Sequence, residues 1–182
     1  MDKKVKFSVL LSVYFKEKRE NLRLALKSIY EDQILKPDEI ILVEDGPLSE
    51  ELYSEIEYQL DNLKGILKIV KLEKNSGLGN ALKEGVLHCN YEWIARMDTD
   101  DVSYPERFLK QAKFIENNPS IDVLGTFMTE FIDDIDNKVC IKDAPTRNIE
   151  NYIKYRDPVN HPSVFLRKLK VIEAGNYQEI FL

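Results

Sequence analysis

Over residues 1–120, short apolar runs alternate with amphipathic stripes, and few folds accept that order. Lys6 to Val13 is nearly continuous in apolar content and predicts a strand. Leu22, Ala25, Leu26 and Ile29 follow at i, i+3, i+4 and i+7, the stripe of a helix with one buried face. The pattern then repeats. Strands are expected at Glu39 to Val43, Leu67 to Leu72 and Trp93 to Met97. Helices are expected around Leu52, Ile56 and Leu60, around Leu78, Ala81, Leu82, Gly85, Val86 and Cys89, and around Phe108, Ala112 and Ile115. Apolar strands with a helix between each pair predict an α/β fold: a mostly parallel sheet flanked by helices. Such sheets bind ligands beyond the carboxyl ends of their strands.

After Asn117-Asn118-Pro119 the pattern changes. Val123, Gly125, Phe127, Thr129 and Phe131 alternate with Leu124, Thr126, Met128 and Glu130, which predicts one half-exposed strand of the antiparallel kind. Asp133 to Asn137 reads as a solvated turn, with Lys138 to Lys142 returning as the hairpin partner. A short helix around Ile149, Tyr152 and Ile153, a strand at Val164-Phe165-Leu166 and a last helix ending at Gly175 complete a small antiparallel C-terminal portion. No linker or repeat interrupts residues 1–182, so a single domain is expected.

Composition removes several function classes. Apolar residues make up 43% and charged residues 32% of 182, as in an ordinary globular protein. The net charge is -6 and no dense Lys/Arg tract occurs, so nucleic acid is not an expected partner. No apolar run approaches the roughly 18 residues of a membrane span. The charged start Met1 to Lys6 runs straight into a strand, unlike a secretory signal. Cys89 and Cys140 lack metal or redox spacing and are expected to be reduced, buried thiols in a cytoplasmic protein.

The chemistry concentrates in Met97-Asp98-Thr99-Asp100-Asp101-Val102-Ser103. Three carboxylates crowd the end of a predicted buried strand. Like charges so close repel, and a divalent cation with oxygen ligands offsets them. Asp also caps helices, but the next helix has its own capping box in Ser103 and Glu106, with Pro105 in the first turn. Asp98, Asp100 and Asp101 are therefore the metal candidates.

Three further loops follow predicted strands: Ser12-Val13-Tyr14-Phe15, Glu44-Asp45-Gly46-Pro47 and Asn75-Ser76-Gly77-Leu78. Taken singly, Tyr14 is a core aromatic, Asp45-Gly46 a turn and Asn75-Ser76-Gly77 a helix start. A parallel sheet sets all of them beside the acid cluster at one edge. A ring, a lone carboxylate, a helix N-terminus and a metal-type cluster together suit a nucleotide diphosphate. Neither G-x-G-x-x-G after the first strand nor G-x-x-x-x-G-K-[ST] is present, which removes the main support for dinucleotide oxidoreductases and P-loop NTPases.

The ordered set Ser8 to Tyr14, Ile40 to Gly46, Asn75-Ser76-Gly77-Leu78 with Ala81 and Gly85, Asp98-Thr99-Asp100-Asp101 with Pro105-Glu106-Arg107, and Asn160-His161-Pro162-Ser163 to Lys168 resembles family 2 glycosyltransferases. The similarity is greatest to the bacterial branch that builds exopolysaccharide, capsule and O-chains. The resemblance implies a GT-A fold, a nucleotide-sugar donor of the UDP type, Mn²⁺ or Mg²⁺ as cofactor, and transfer with inversion to a saccharide or lipid-linked saccharide acceptor. It implies a cytoplasmic location at the inner membrane face, with peripheral association. Residues 1–120 match the nucleotide-sugar half and 121–182 the start of the acceptor side. Ser12, Val13 and Tyr14 match the base-holding loop, Asp45 the carboxylate that accepts from uracil, and Asp98, Asp100 and Asp101 the motif that holds ribose and metal. Asn75 and Gly77 belong to the same donor edge. Asp100 is the first choice of metal ligand.

Three departures stand out. Glu44 replaces a common Asp. Leu82-Lys83 replaces a common Arg-Asn, leaving Lys83 as a substitute phosphate contact or a solvated helix lysine. The family's Glu-Asp motif, which supplies the general base, would fall beyond Leu182, and Glu179 is too early to match it. The chain therefore reads as a domain incomplete at its C-terminus: able to bind donor, unable to transfer sugar, and with apolar surface uncovered around Val164, Phe165, Ile180 and Phe181. His161 is either a turn residue or an acceptor-side candidate, and His88 is expected on the surface. Two rival readings are a sugar nucleotidyltransferase and a non-catalytic nucleotide-sugar binding module. The first would show a Gly-rich basic loop where this chain has Ser12 to Glu17.

Overall fold

A computed structural model describes residues 5–178. Four βα steps come first in chain order: β1 (Phe7–Val13), α1 (Arg19–Ile29), β2 (Glu39–Glu44), α2 (Glu50–Asn62), β3 (Leu67–Lys71), α3 (Leu78–His88), β4 (Trp93–Arg96) and α4 (Arg107–Asn117), closed by the short strand β5 (Val123–Leu124). A ribbon of β6 (Met128–Ile132) and β7 (Asp134–Lys142) follows. Then come α5 (Ile149–Tyr152), a 3₁₀ turn at His161–Ser163, β8 (Phe165–Arg167) and α6 (Lys168–Glu173).

The main sheet has the order β3-β2-β1-β4-β8-β5. β3, β2, β1 and β4 are parallel; β8 is antiparallel to both β4 and β5. Both faces are covered, which is why the strands lack polar alternation. Val9, Leu11, Val13, Ile40 and Leu42 join Leu22, Leu26, Ile56 and Phe108 on one face. Leu10, Ile41, Val43 and Ile94 meet Ala81, Leu82 and Val86 of α3 on the other. Gly85 lets α3 lie flat there: a Cβ would come within 2.3 Å of Leu10 Cδ1 and 2.9 Å of Val43 Cγ2. The aromatic rings of Phe7, Phe108 and Phe165 pack together at 5.1 to 6.0 Å between centroids, tying β8 to the parallel strands.

The amino end of the sheet is fixed by Glu39. It accepts from the Ser8 hydroxyl at 2.6 Å, from the Asn90 backbone and side-chain nitrogens at 2.5 and 2.7 Å, and from Lys68 Nζ at 2.7 Å. Burial alone would raise this carboxyl, but these bonds outweigh it and hold Glu39 below the ordinary carboxylate range.

Several sequence expectations change. The capping box does not form: α4 starts at Arg107, and Glu106 in the N-cap position has helical backbone and makes no side-chain cap bond. Ser103 is held elsewhere, its N–H donating to Ser28 Oγ at 3.0 Å and its hydroxyl accepting from Gln33 Nε2 at 3.2 Å. The strand expected across Val123 to Phe131 breaks in two, because the Thr126 backbone is drawn to Ser163 and Asn160 instead of a ladder. The hairpin turn is tighter than Asp133 to Asn137: Asp133 takes a left-handed conformation at φ 62° and β7 starts at Asp134. The core position expected at Leu60 of α2 falls instead to Leu63, the residue that follows the helix; Leu60 is exposed. Cys140 is exposed, because among the described residues β7 has no layer over it, while Cys89 is buried as expected. Val164 and Phe165 are buried against β4 and the aromatic cluster, against the expectation of uncovered surface there; Glu179, Ile180 and Phe181 lie outside the described residues. His88 is exposed. Among the described residues no helix is long and apolar enough to cross a membrane.

Candidate nucleotide-sugar site

Parallel register brings the ends of four strands to one edge. Val13 pairs with Glu44, Glu44 with Lys71, and Leu10 with Arg96. The loops that leave these strands enclose a cleft of about 450 Å³, a size suited to a small organic ligand. It is lined by Ser12, Tyr14, Asp45, Asn75, Gly77, Asp98 and Asp100, all expected from sequence, and by Lys16, Glu17, Leu78 and Thr99, which were not. Val13 is not in the lining. Its side chain is core, and only its carbonyl takes part, accepting from the Asp45 N–H at 2.8 Å. Lys83 is not in the lining either; it is an exposed residue of α3 whose carbonyl accepts from Asn176 Nδ2 at 3.2 Å.

Tyr14 and Phe15 stand exposed where β1 ends, edge to face at 5.8 Å. Across the cleft, Asp45 is buried and already employed by the protein. Its Oδ1 accepts from the Ser76 N–H at 2.7 Å and from the Ser76 hydroxyl at 3.2 Å, and its Oδ2 accepts from the Gly77 N–H at 3.1 Å. These bonds dock the start of α3 onto the end of β2. Gly46 makes the approach feasible: its φ is 83°, and a Cβ there would sit 2.3 Å from Asn75 N. The first turn of α3 therefore opens at the cleft, where unpaired helix N–H groups favour an anion.

Thr99 closes the floor, its hydroxyl donating to Glu17 Oε2 at 2.8 Å from 82 residues away in sequence. Contacts at that range leave no local pattern, which is why Glu17 and Thr99 were missed.

Asp98, Asp100 and Asp101 each offer an oxygen within 4.8 Å of the others, a hard-ligand set that fits Mg²⁺ or Mn²⁺. Burial, then the charges of Asp98 and Asp100, push the Asp101 carboxyl up to about 6. Desolvation, then Asp98, raise Asp100 as well. Two arginines oppose this repulsion. Arg96, a charge inside a buried strand, pairs both Nη atoms with the two oxygens of Asp98. Arg107 Nη2 donates to the Arg96 carbonyl at 2.7 Å, and burial pushes its guanidinium down to about 10. A legible signal for Arg96 existed: residues 96 and 98 of an extended chain point the same way.

His161 sits beside this cluster. Its Nε2 and the Tyr177 hydroxyl share a hydrogen bond of 3.0 Å, with the rings at 5.6 Å. Burial, then the Arg96 charge, push the imidazole down to about 4, so it is neutral at pH 7. Burial pushes the Tyr177 phenol up to about 12.

Comparison with known proteins fits this geometry. The chain is 45% identical over 174 residues to the amylovoran biosynthesis glycosyltransferase AmsE of Erwinia amylovora, covering 94% of this chain and 64% of that protein. It is 37% identical over 178 residues to an Escherichia coli UDP-Gal:alpha-D-GlcNAc-diphosphoundecaprenol beta-1,3-galactosyltransferase, covering 97% and 64%. The chain thus spans just under two thirds of these relatives. Among solved structures, S. aureus TarS 1-349 in complex with UDP-GlcNAc superposes with a TM-score of 0.72 at 23% identity, over 95% of this chain and 48% of that one. The mannosyltransferase PcManGT of Pyrobaculum calidifontis, in complex with GDP-Man and Mn²⁺, gives 0.71 at 12% identity, over 97% and 48%. These superpositions show a GT-A fold. The glycosyl transferase family 2 profile matches residues 8–175, nearly all of the described chain, and the protein belongs to that family.

Proposed function

We propose that this protein moves a sugar from a nucleotide-diphosphate donor, of the UDP type, to a saccharide or lipid-linked saccharide acceptor in cell-surface polysaccharide synthesis. One observation carries the reading: a ring, a helix N-terminus and two carboxylates, Asp98 and Asp100, line one cleft at the carboxyl edge of a parallel sheet, with Asp101 next to them outside the lining. The names of the relatives support the reaction class, and one of them supports a UDP-linked donor. Work on a lipid-linked acceptor would place the protein at the inner membrane face.

Each wall of the cleft has a task. Tyr14 offers a ring face to the base. Asp45, through its bonds from Ser76 and Gly77, holds the start of α3 where N–H groups meet the diphosphate, with Asn75 lining the cleft next to it. The cluster of Asp98, Asp100 and Asp101 supplies the site for Mn²⁺ or Mg²⁺, with Asp100 as the first ligand. A cation bound there stabilises charge developing on the leaving diphosphate as a Lewis acid. We read the transfer as inverting, with the acceptor hydroxyl approaching from the face opposite the diphosphate.

Calorimetric titration with UDP tests this, in Mn²⁺ and in EDTA, on the parent chain and on Asp100→Ala. UDP is expected to bind in Mn²⁺ and to lose most of its affinity in EDTA or in the variant. Equal affinity in both buffers would remove the metal from the reading, and no binding in either would remove the nucleotide.

A further inference from the structure

We propose that Arg96 is a positioning residue: it grips both oxygens of Asp98 and so leaves a divalent cation to Asp100 and Asp101. The proposal rests on the nucleotide and metal reading above and goes one step into it. Arg96 is among the largest fully buried side chains, at 1% exposure. Its two Nη atoms both meet Asp98, while its Nε has no partner among the described residues. Asp98 is therefore its sole hydrogen-bonded counter-charge. The backbone on which Arg96 stands is pinned on both sides, its N–H donating to the Val164 carbonyl at 2.9 Å and its own carbonyl accepting from Arg107 Nη2 at 2.7 Å.

Two consequences follow. A cation approaching Asp98 meets a guanidinium directly behind it. If Asp98 turned to the cation, a fully buried arginine would be left without its partner, which is far costlier than leaving the pair intact. Among the described residues, Asp100 and Asp101 carry no such bond. Three carboxylates against Arg96 and Arg107 leave the cluster net negative. Asp98 keeps lone pairs toward the cleft, which it lines, and can accept there from a hydroxyl or N–H of the nucleotide.

The role predicts opposite changes in two affinities, which a merely structural role would not produce. Mn²⁺ alone is titrated by the loss of its free electron paramagnetic resonance signal, and UDP by calorimetry at saturating Mn²⁺. In Arg96→Met, Asp98 is released to the cation, so Mn²⁺ is expected to bind about 3- to 10-fold tighter and UDP about 10-fold weaker. The double variant Arg96→Met/Asp98→Asn removes both charges of the pair, so the buried end is not left as an unpaired charge. Its Mn²⁺ affinity is expected to stay within about twofold of the parent. Joint weakening of both ligands in folded Arg96→Met, or unchanged Mn²⁺ affinity, overturns the proposal. If that variant shows no cooperative melt, the double variant decides alone: a loss of Mn²⁺ affinity beyond about 10-fold would make Asp98 a ligand. A parent chain that binds UDP equally well with and without Mn²⁺ fails the underlying metal reading instead, and the proposal with it.

Discussion

β2 and β7 are both strands, yet every residue of β2 is buried and every residue of β7 is exposed. Their apolar content does not explain this, since β7 carries Ile135, Val139 and Ile141. Position does. β2 is paired on both edges, by β1 and β3, and lies between two helical layers. β7 has one partner, β6, and no layer over it among the described residues. A two-stranded ribbon gains little stability alone. This one is tied to the body by a few polar bonds: Asn160 Nδ2 donates to the Thr126 and Lys142 carbonyls at 3.0 and 3.2 Å, and Tyr104 OH to Thr129 Oγ1 at 3.2 Å. The cleft is built on the parallel strands: β1 and β4 are buried like β2, and β3 is a partly exposed edge strand whose loop is held by the bonds that Asp45 accepts from Ser76 and Gly77.

The sharpest way to break this contrast is at the joint between the two regions. Phe108 is fully buried and touches both Phe7 of the parallel strands and Phe165 of β8. Phe108→Ala is expected to cost about 3–5 kcal/mol in urea unfolding, by loss of transfer energy and a cavity. A cost below about 1 kcal/mol would mean that β8 is not part of one shared core.

Next in size is Asp45, which tests whether the packed edge serves ligand as well as fold. A hydrogen bond to a charged group contributes roughly 1.5–3 kcal/mol. Asp45→Asn is therefore expected to weaken UDP binding by about 10- to 100-fold. The same change removes charge from the bonds to Ser76 and Gly77, so some stability should go with it. If the melting temperature falls and UDP affinity does not, Asp45 only docks α3.

A smaller effect should appear with pH at the opposite end of the same strands. Glu39 has its carboxyl held below the ordinary value near 4.5. Its stabilisation is therefore fully present above that value and is lost as the pH falls through the lower folded-state value, where protonation is forced. Glu39→Gln is expected to cost about 1–3 kcal/mol at pH 7 and to flatten the acid limb of the stability curve below pH 4.5. An unchanged acid limb would show that other carboxylates, such as Glu55, govern it.

The same division decides what the sequence made legible. All four parallel strands and their helices are readable, because each strand is short, apolar and separated by one helical stripe, so local periodicity and global burial agree. The cleft residues Tyr14, Asp45, Asn75, Gly77, Asp98 and Asp100 follow from that topology alone. Glu17 and Thr99 do not, since their bond joins distant loops. Ser103 misleads for a similar reason: its residue type and spacing fit a local cap, but Gln33 and Ser28 claim it from 70 and 75 residues away. Beyond Asn118, apolar alternation no longer reports burial, so the break at Gly125 to Phe127 and the early start of β7 were not readable.

Ile41 and Ile141 carry the comparison down to one side chain. Ile41, in β2, is 1% exposed among Leu10, Val43 and α3; Ile141, in β7, is 70% exposed opposite Thr129. Ile141→Ser removes apolar atoms that already meet water and adds a hydroxyl that water satisfies, so its effect on stability is expected to stay within about 0.5 kcal/mol. At Ile41 the same change would empty a packed site and strand a hydroxyl there, for a loss of at least about 3 kcal/mol. Both are read from urea midpoints at constant m-value. The exposed position is the more informative of the two. If Ile141→Ser costs more than about 1 kcal/mol, the open face of β7 is covered in solution. Its apolar row would then be a buried contact like those of β2, and the contrast between the two strands would belong to the isolated chain and not to the working protein.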